Sequence, residues 1–433
     1  MLKYLNGNKN NFIKRLDNIL DQRRIKATFK STKVKKIIGD VKKNGDKAVL
    51  KYEKKFLKTK KINIKNFKFS NSEIKNSIKK LNSETKKSIN LAFNRIYKFH
   101  KRQKFQSYVL KDRYKNNLSY TSSPISRVGV YVPGGTASYP SSVLMNCIPA
   151  LIAGVKEIYM TTPALNQKYN SAVLYAAKKC KIKNIYKIGG AQAIAALAFG
   201  TKSIKKVDKI VGPGNEYVAL AKKEVYGEVG IDSIAGPSEV TIVSDQSSNP
   251  EWIAADLIAQ AEHDKYAQSI LISNNKKCIK DVNVHLKKQL KKLPKKVIAT
   301  ASLKKFGMSI LSKNLNKTID IINSIAPEHL EIFIKKPKKI LNKIKNAGSI
   351  FVGNYSPEAM GDYLAGTNHV LPTAGSARFS SGLSVHEFLK RHSIIKISKL
   401  GIERLGTSVI NLAQHEDLIG HANSIKMRLK RKL

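Results

Sequence analysis

Four short polar clusters carry the side chains of this chain that are best suited to chemistry. They are AQAEHD at 259–264, IAPEHLE at 325–331, GDYLAGTNHVLPT at 361–373 and QHEDLIGHANS at 414–424. The groups that they contribute are Gln260, His263, Glu328, His329, Asp362, Glu416 and His421. Imidazole nitrogens together with carboxylate and carboxamide oxygens can bind a divalent cation, and the remaining acids and imidazoles can move protons. The clusters therefore predict a metal-assisted catalytic site.

The first cluster also has a purely structural interpretation. A helix that begins at Pro250, with Asn249 as its N-cap, places Gln260 and His263 on or beside its buried face, at its C-terminal end. A buried polar side chain needs a hydrogen-bond partner. A satisfied core glutamine, with a histidine at the helix C-terminus, fits this pattern as well as a ligand pair does.

The middle clusters are open to similar alternatives. Pro327 and Glu328 suit the start of a helix, and an adjacent Glu328–His329 pair is compatible with an ion pair as well as with catalysis. Glycines and a proline around Asp362 predict a loop of fixed shape, in which His369 could be structural.

The bulk composition points elsewhere, because the formal net charge is +50. Such a charge favours nucleic acid or an anionic surface as a partner. However, the basic residues are mostly Lys spread over stretches such as 33–36, 287–296 and 335–345, whereas 128–155 contains no charged residue. The pattern favours a solvated lysine-rich surface around a normal core, and a polyanion-binding protein remains the alternative.

The three cysteines have no CxxC spacing, and the N-terminus lacks the apolar core of a signal peptide. The longest apolar stretch, 143–155, is too short to cross a bilayer. We therefore expect a cytoplasmic enzyme without a disulfide framework or a membrane partner. Cys147 lies among apolar residues in a predicted helix, which favours buried packing over a reactive thiol.

The elements that must position these clusters alternate between strand and helix. From Ser126 onward, short apolar runs such as RVGVYV, IYMTT, EVTIVSD and QSILIS are separated by helical stretches. This rhythm predicts parallel βαβ units. Residues 1–115 and the segment after Leu383 have helical patterns, and IDSIAGPS and GSIFVGN are predicted strands.

The glycine turns GPGNEY (212–217) and PGGTAS (133–138) match a dinucleotide fingerprint only in part.

Taken in order, RVGVYVPGGTASYPSSVLMN, GGAQAIAALAFGT, VDKIVGPGN, AGPSEV, AQAEHD, APEHLE and GDYLAGTNHVLPT resemble the histidinol dehydrogenase family. The resemblance implies oxidation of L-histidinol through L-histidinal to L-histidine, with NAD⁺ as the electron acceptor and a single Zn²⁺ in each subunit. It also implies a homodimer with shared active sites and no specific nucleic-acid partner.

The resemblance assigns roles to individual residues of this chain. The metal ligands would be Gln260, His263, Asp362 and His421, the last from the neighbouring subunit, and the catalytic acid–base residues would be Glu328 and His329. Substrate contacts would come from Ser238, Gln260, His263, His329, Asp362, Glu416 and His421, and NAD contacts from Tyr131, Gln192 and Asn215. Asp417 stands where the family often has Gly, which leaves the positioning of Glu416 open.

The implied fold is α/β, with two Rossmann-like parallel-sheet domains, the first discontinuous, and small helical terminal domains that reach the partner subunit. The predicted domains are 26–126 plus 239–381 for most of the metal and substrate site, 127–238 for NAD contacts, and 1–25 plus 382–433 for dimerisation.

A metal-dependent hydrolase, in which the same ligands activate water with Glu328 as the base, is the rival enzyme class.

Overall fold

A computed structural model describes residues 1–25, 31–57, 62–134, 139–164, 169–234 and 236–429. The strands are Lys3–Asn6 (β1), Tyr108–Lys111 (β2), Asn117–Pro124 (β3), Arg127–Tyr131 (β4), Glu157–Thr161 (β5), Asn184–Tyr186 (β6), Lys209–Val211 (β7), Gly230–Ile231 (β8), Glu239–Ser244 (β9), Gln268–Ser273 (β10), Met308–Leu311 (β11), His329–Phe333 (β12), Ser349–Val352 (β13) and Leu389–Lys396 (β14). The helices are Phe12–Ile25 (α1), Ser31–Leu57 (α2, kinked at Gly45), Asn71–Lys79 (α3), Ser83–His100 (α4), Pro140–Ala153 (α5), Ser171–Lys179 (α6), Gly190–Phe199 (α7), Glu216–Val225 (α8), Pro250–Ala261 (α9), Lys276–Leu290 (α10), Lys296–Phe306 (α11), Leu315–Ile325 (α12), Lys338–Leu341 (α13), Glu358–Tyr363 (α14), Lys399–His415 (α15) and Ile419–Leu429 (α16).

The first parallel sheet contains β4 to β8 in the order β6-β5-β4-β7-β8. If its strands are counted along the chain, the order is 3-2-1-4-5, which is that of a Rossmann-type sheet. Helix α5 is buried over most of its length, which explains why the uncharged stretch around it is so apolar. The predicted NAD-contacting unit is therefore a parallel α/β layer.

The second parallel sheet has the order β1-β11-β10-β9-β12-β13. From β9 to β13 it repeats the 3-2-1-4-5 order, and β1 is added beside β11. All residues of β9 and β10 are buried, as expected for central strands of a sheet covered on both faces. The prediction of two Rossmann-like parallel sheets is confirmed.

The N-terminal helices pack against both parallel sheets, and the domain division that groups 26–126 with 239–381 stays a prediction. Buried residues of α2 and α4, such as Val34, Val49 and Ile96, belong to the apolar clusters around β4 and α7. Buried residues of α1, such as Leu16, instead pack under the second sheet. These contacts join distant parts of the chain. The apolar periodicity of a helix shows which face is buried, but it does not show which sheet that face packs against.

The terminal segments are partly helical, as predicted, but each also contributes a strand. The predicted helical segment 1–25 contains β1, and 382–433 contains β14, which pairs antiparallel with β3 beside β2. The segment IAPEHLE forms the end of α12 and the start of β12 rather than the start of a helix. Among the described residues of the predicted strand IDSIAGPS, Ile231 alone lies in a strand. Among the helices of the described ranges, none combines the length and apolarity needed to cross a membrane.

Candidate active site

Three of the four polar clusters, those that contain Gln260, His329 and Asp362, lie at the edge of the second sheet where its strands begin. His329 is the first residue of β12 and pairs with Val240 of β9. In a βαβ unit the helix runs antiparallel to the strands, so the C-terminal end of α9, with Gln260, returns to this same edge. Ala326 ends α12 in the left-handed region, with φ 49°, and turns the chain toward Glu328. Sheet topology therefore brings together groups that are far apart in sequence.

The His329 ring is held as a neutral base. Its Nδ1 lies 3.0 Å from the carbonyl oxygen of Glu239, and because a carbonyl only accepts, Nδ1–H donates. The other nitrogen, Nε2, then carries a lone pair; it is buried without a hydrogen-bond partner and lies 4.0 Å from Oδ1 of Asp362. Burial lowers the pKa of His329 to about 3. At neutral pH this nitrogen can accept a proton or bind a cation.

A carboxylate outside the predicted set, Glu358, lies between Gln260 and His329. The Gln260 carboxamide nitrogen, with the amide oriented by its hydrogen bonds, donates to Oε1 and Oε2 of Glu358 at 2.8 and 3.0 Å. Oε1 of Glu358 also lies 3.6 Å from Nδ1 of His329. The carboxamide oxygen of Gln260 therefore points away from Glu358. The sequence signal for Glu358 was its position four residues before Asp362, which places both side chains on one face of α14.

Burial makes the carboxyl groups of the cluster hard to ionise. It raises the pKa of Glu328 and of Glu358 well above the usual range, and the pKa of Asp362 to about 7. Oε2 of Glu328 accepts the backbone N–H of Glu239 at 2.9 Å. A cation among these acids would offset the cost of ionising them, because buried charges need a partner.

Within the described part of the chain, one group of acidic and imidazole ligands is close enough to share a metal ion. It consists of His329, Glu358 and Asp362, whose ligand atoms all lie within 4.8 Å of one another. Asp362 belongs both to this group and to the predicted ligand set. The donor types, imidazole nitrogen and carboxylate oxygen, suit a divalent transition metal such as Zn²⁺. Asp362 lies in a short helix, α14, rather than in the predicted loop.

Two further imidazoles lie close to these elements in sequence: His263 is in the turn after α9, outside the group of three, and His369 follows α14. Part of His263 is exposed, yet desolvation by its surroundings lowers its pKa. A positive charge on His263 would lower the pKa of His329 and of His369 further. His369 donates from Nδ1 to the backbone oxygen of Asp362 at 3.0 Å. His369 therefore helps to hold Asp362.

Ser238 lies directly before β9 and is half-buried, next to this edge. Its carbonyl oxygen accepts the backbone N–H of Gln268 at 3.0 Å. Arg23 of α1 forms a buried ion pair with Glu239 and donates to the carbonyl oxygen of Pro237 at 2.7 Å. The segment that carries Ser238 is thus held in place from both sides.

Glu416 and His421 lie elsewhere in the single chain. Glu416 follows α15, His421 lies in α16, and both are exposed. No contact within the described ranges joins either residue to the His329 cluster. Asp417 has φ 58°, in the left-handed region that glycine favours. The turn after Glu416 therefore forms with Asp417 where the family often has glycine, because Asp tolerates this conformation better than most residues.

The residues predicted to contact NAD lie at the edge where the strands of the first sheet end. The His329 cluster, by contrast, lies where the strands of the second sheet begin. Tyr131 is the last residue of β4, and Asn215 caps α8 after β7, so both flank the point where the strand order reverses. Ligands of open α/β sheets bind at this point. Gly212 has φ 112°, and a Cβ there would lie 2.1 Å from the carbonyl oxygen of Tyr131. Glycine is therefore required in the GPGN turn.

Glu53 of α2 links two of these predicted residues. Its Oε1 accepts from Nε2 of Gln192 at 2.8 Å and from the backbone N–H of Gly189 at 2.9 Å. The next residue, Gly190, donates its N–H to the hydroxyl of Tyr131 at 3.1 Å. The structure thus brings Tyr131 and Gln192 together, and the buried carboxyl group of Glu53 joins them although no sequence motif marked it.

Replacement of Glu53 by Gln should change the pH dependence of stability. Burial raises the pKa of Glu53 from 4.5 to about 7, so the folded protein favours the neutral form. The contribution of Glu53 to the free energy of unfolding is then fully present below pH 4.5 and is lost as the pH rises through 7. Above this range we expect Glu53→Gln to be more stable than the wild type, by up to about 3 kcal/mol. Urea unfolding across this pH range measures the difference.

The control for this prediction is Glu84→Gln, at an exposed position at the start of α4. It should track the wild type within about 0.5 kcal/mol at every pH. A pH-independent difference between Glu53→Gln and the wild type would contradict the prediction.

Cys147 is fully buried, and its pKa is raised well above the usual range by its hydrogen bond to Cys180 and by burial. The thiolate is therefore strongly disfavoured. The interpretation of Cys147 as a packing residue is confirmed, and Cys180 and Cys278 are also free and buried.

Comparison with known proteins agrees with the motifs. The sequence model of the family described as histidinol dehydrogenase matches residues 21–429. The histidinol dehydrogenase of Pelagibacter ubique is 58% identical over 433 residues, all of both chains, and that of Helicobacter hepaticus is 44% identical over 99% of this chain and 98% of its own. The crystal structure of histidinol dehydrogenase from Elizabethkingia anophelis superposes with a TM-score of 0.91 at 37% identity, covering 99% of this chain and 98% of that one. The chain therefore belongs to the histidinol dehydrogenase family.

Proposed function

We propose that this chain oxidises L-histidinol through L-histidinal to L-histidine, with Zn²⁺ in the His329 cluster and NAD⁺ at the end of the first sheet. Family membership supports a dehydrogenase of histidine biosynthesis. The observation that carries the chemical proposal is the buried lone pair of His329 Nε2, which has no partner and lies 4.0 Å from a carboxylate oxygen of Asp362.

The donor set supports a metal at this site. Gln260, His263 and Asp362 would hold Zn²⁺ from this chain, together with His421 of a second copy. When bound, Zn²⁺ would orient the amino alcohol through its nitrogens, and NAD⁺ would accept hydride in each oxidation.

His329 would act as the base in both oxidations. Its Nε2 would take the hydroxyl proton as hydride leaves the alcohol carbon, which gives the aldehyde. As water adds to the aldehyde, ionised Glu328 would take a proton from the water and His329 would return its proton to the carbonyl oxygen, which gives the hydrate. His329 would then accept a hydroxyl proton of the hydrate as the second hydride leaves, which gives the acid.

A homodimer would complete the site. Exposed apolar side chains are concentrated on β2, β14 and the two C-terminal helices, including Val109, Ile395, Leu412, Ile419 and Met427. Large exposed apolar surfaces mark sites of association. Because Glu416 and His421 lie on this same C-terminal unit, a second copy packed on it could bring them to the cluster.

Formation of NADH from L-histidinol by the purified chain tests the function. We expect NADH absorbance to rise with histidinol, to stop when a chelator removes the metal, and to return when Zn²⁺ is added back. Exposed His386 lies outside the cluster, so His386→Asn should keep wild-type activity. Absence of NADH would refute the dehydrogenase proposal and favour a hydrolase, and NADH formation that a chelator leaves unchanged would refute the metal.

A further inference from the structure

The second sheet has an end that the proposed chemistry does not use. Its strands β9 to β13 follow the same 3-2-1-4-5 order as the first sheet, with the order reversing between β9 and β12. Ligands of such sheets bind outside the carboxyl ends of the strands, at the reversal point. The His329 cluster instead lies at the amino ends, since His329 and Glu239 are the first residues of their strands.

A crevice of about 260 Å³ occupies the carboxyl end of this sheet. Its wall is formed by the residues that end or follow β9, β10, β11 and β12, so it includes the reversal point. The cationic residues in this wall are Lys313, Lys335, Lys336 and Lys339. The crevice therefore combines the expected position of a ligand site with a concentration of positive charge.

The positive charge of this crevice is only partly neutralised locally, because its wall has one acidic residue against four lysines. Asp245 is the acidic residue of the wall, and both its oxygens are engaged: Oδ2 accepts the backbone N–H of Lys335 at 2.9 Å, and Oδ1 accepts that of Ser247 at 2.8 Å. None of the lysines of the wall forms an ion pair with a residue in the described ranges. All four lysines are exposed, so water screens part of their mutual repulsion, and a bound anion would reduce it further.

The lysines lie on two sides of the crevice. Lys313 follows β11, whereas Lys335, Lys336 and Lys339 follow β12, with β10 and β9 between them. Three strand spacings separate these sides, which corresponds to roughly 14 Å between strand ends. Flexible lysine side chains from both sides can reach a ligand with linked anionic groups better than a single small anion. Apolar wall residues, such as Ile272 and Ile334, could contact an uncharged part of the ligand.

We propose that this crevice binds a ligand that carries a diphosphate group. The lysines would donate charge-assisted hydrogen bonds to the phosphate oxygens. This site is separate from the His329 cluster and from the edge of the first sheet that carries Tyr131 and Asn215. It would allow a diphosphate compound to bind without displacing histidinol.

Calorimetric titration of the full chain with inorganic pyrophosphate tests the proposal. The variant Lys335→Gln/Lys336→Gln removes two cations from one side of the crevice, and we expect it to weaken binding roughly tenfold or more. Lys313→Gln/Lys339→Gln should weaken it similarly. The matched control is Lys287→Gln/Lys288→Gln, which removes the same charge from exposed positions at the other end of α10; binding should stay within about twofold.

Asn215→Ala separates this crevice from the edge of the first sheet and should also leave pyrophosphate binding unchanged. A parallel titration of Asn215→Ala with ADP, in which the edge of the first sheet is impaired, shows whether a nucleoside contributes in the crevice: binding tighter than that of pyrophosphate, lost in Lys335→Gln/Lys336→Gln, assigns the apolar wall to the nucleoside, and equal binding assigns the crevice to the diphosphate alone. The proposal is overturned if the wild type does not bind pyrophosphate, or if the crevice variants bind it as the wild type does. Equal weakening by the Lys287/Lys288 control would also overturn it, as a general effect of charge.

Discussion

His329→Asn lowers kcat for histidinol oxidation by roughly 10²- to 10⁴-fold, which is the usual contribution of a positioned general base. Asn is the informative replacement because its Nδ2 can take the place of Nδ1 and keep the hydrogen bond to the carbonyl oxygen of Glu239. The lone pair of Nε2 is lost. We therefore expect a folded protein that has lost the proton acceptor, measured as NADH formation from histidinol and, separately, from histidinal.

Glu328→Gln distinguishes the two roles within this prediction. Because Glu328 is proposed to act on water, its replacement should slow histidinal oxidation more than histidinol oxidation. His386→Asn makes the same change at an exposed position and should match the wild type. If His329→Asn kept more than about a tenth of the wild-type rate, His329 would not be the base. Equal effects of His329→Asn and Glu328→Gln on both half-reactions would contradict the division of roles.

Mixed dimers of His263→Ala and His421→Ala protomers recover activity that each variant lacks alone. If each site takes His263 from one protomer and His421 from the other, a mixed dimer has one site with both replacements and one intact site. Each pure variant should lose metal and almost all activity, whereas purified mixed dimers should regain about half of the wild-type activity per dimer. Co-expression of the protomers with different affinity tags, followed by metal analysis and the NADH assay, measures this.

The matched control is a mixed dimer of His263→Ala and Gln260→Ala protomers. Both residues lie at the C-terminal end of α9 in the same chain, so every site of this mixed dimer lacks one ligand and no activity should return. Recovery by the control, or its absence in the His263/His421 pair, would show that His421 does not act across the subunits. Metal retained in full by His263→Ala would refute that residue as a ligand.

Local sequence pattern predicted most of the first parallel sheet and the central strands of the second. The run EVTIVS and the run QSILIS are apolar and bounded by polar turns, so their local pattern and their buried position agree. The resemblance to the histidinol dehydrogenase family also lies in the sequence itself, because the motifs of that family follow one another in order along the chain. The buried state of Cys147 followed from its apolar neighbours.

Some elements could not be predicted from local pattern. The strand HLEIF follows Pro327 and Glu328, a pattern that suits a helix start, yet pairing with β9 and β13 makes it an interior strand of the sheet. Strands β1 and β11 are short and pair with each other across more than half of the chain. Such pairs form because a whole sheet buries them, and a local window of sequence does not contain that information.

By itself the sequence determined which chemical groups are present, where the alternation of strand and helix begins, and which family the motifs resemble. Only the tertiary structure decided that the lone pair of His329 faces Asp362, that Glu358 lies between Gln260 and His329, and that lysines from two strand ends meet in one crevice. The reason is physical: hydrogen bonding, burial and charge at these sites depend on distances between residues far apart along the chain, and strand order sets those distances.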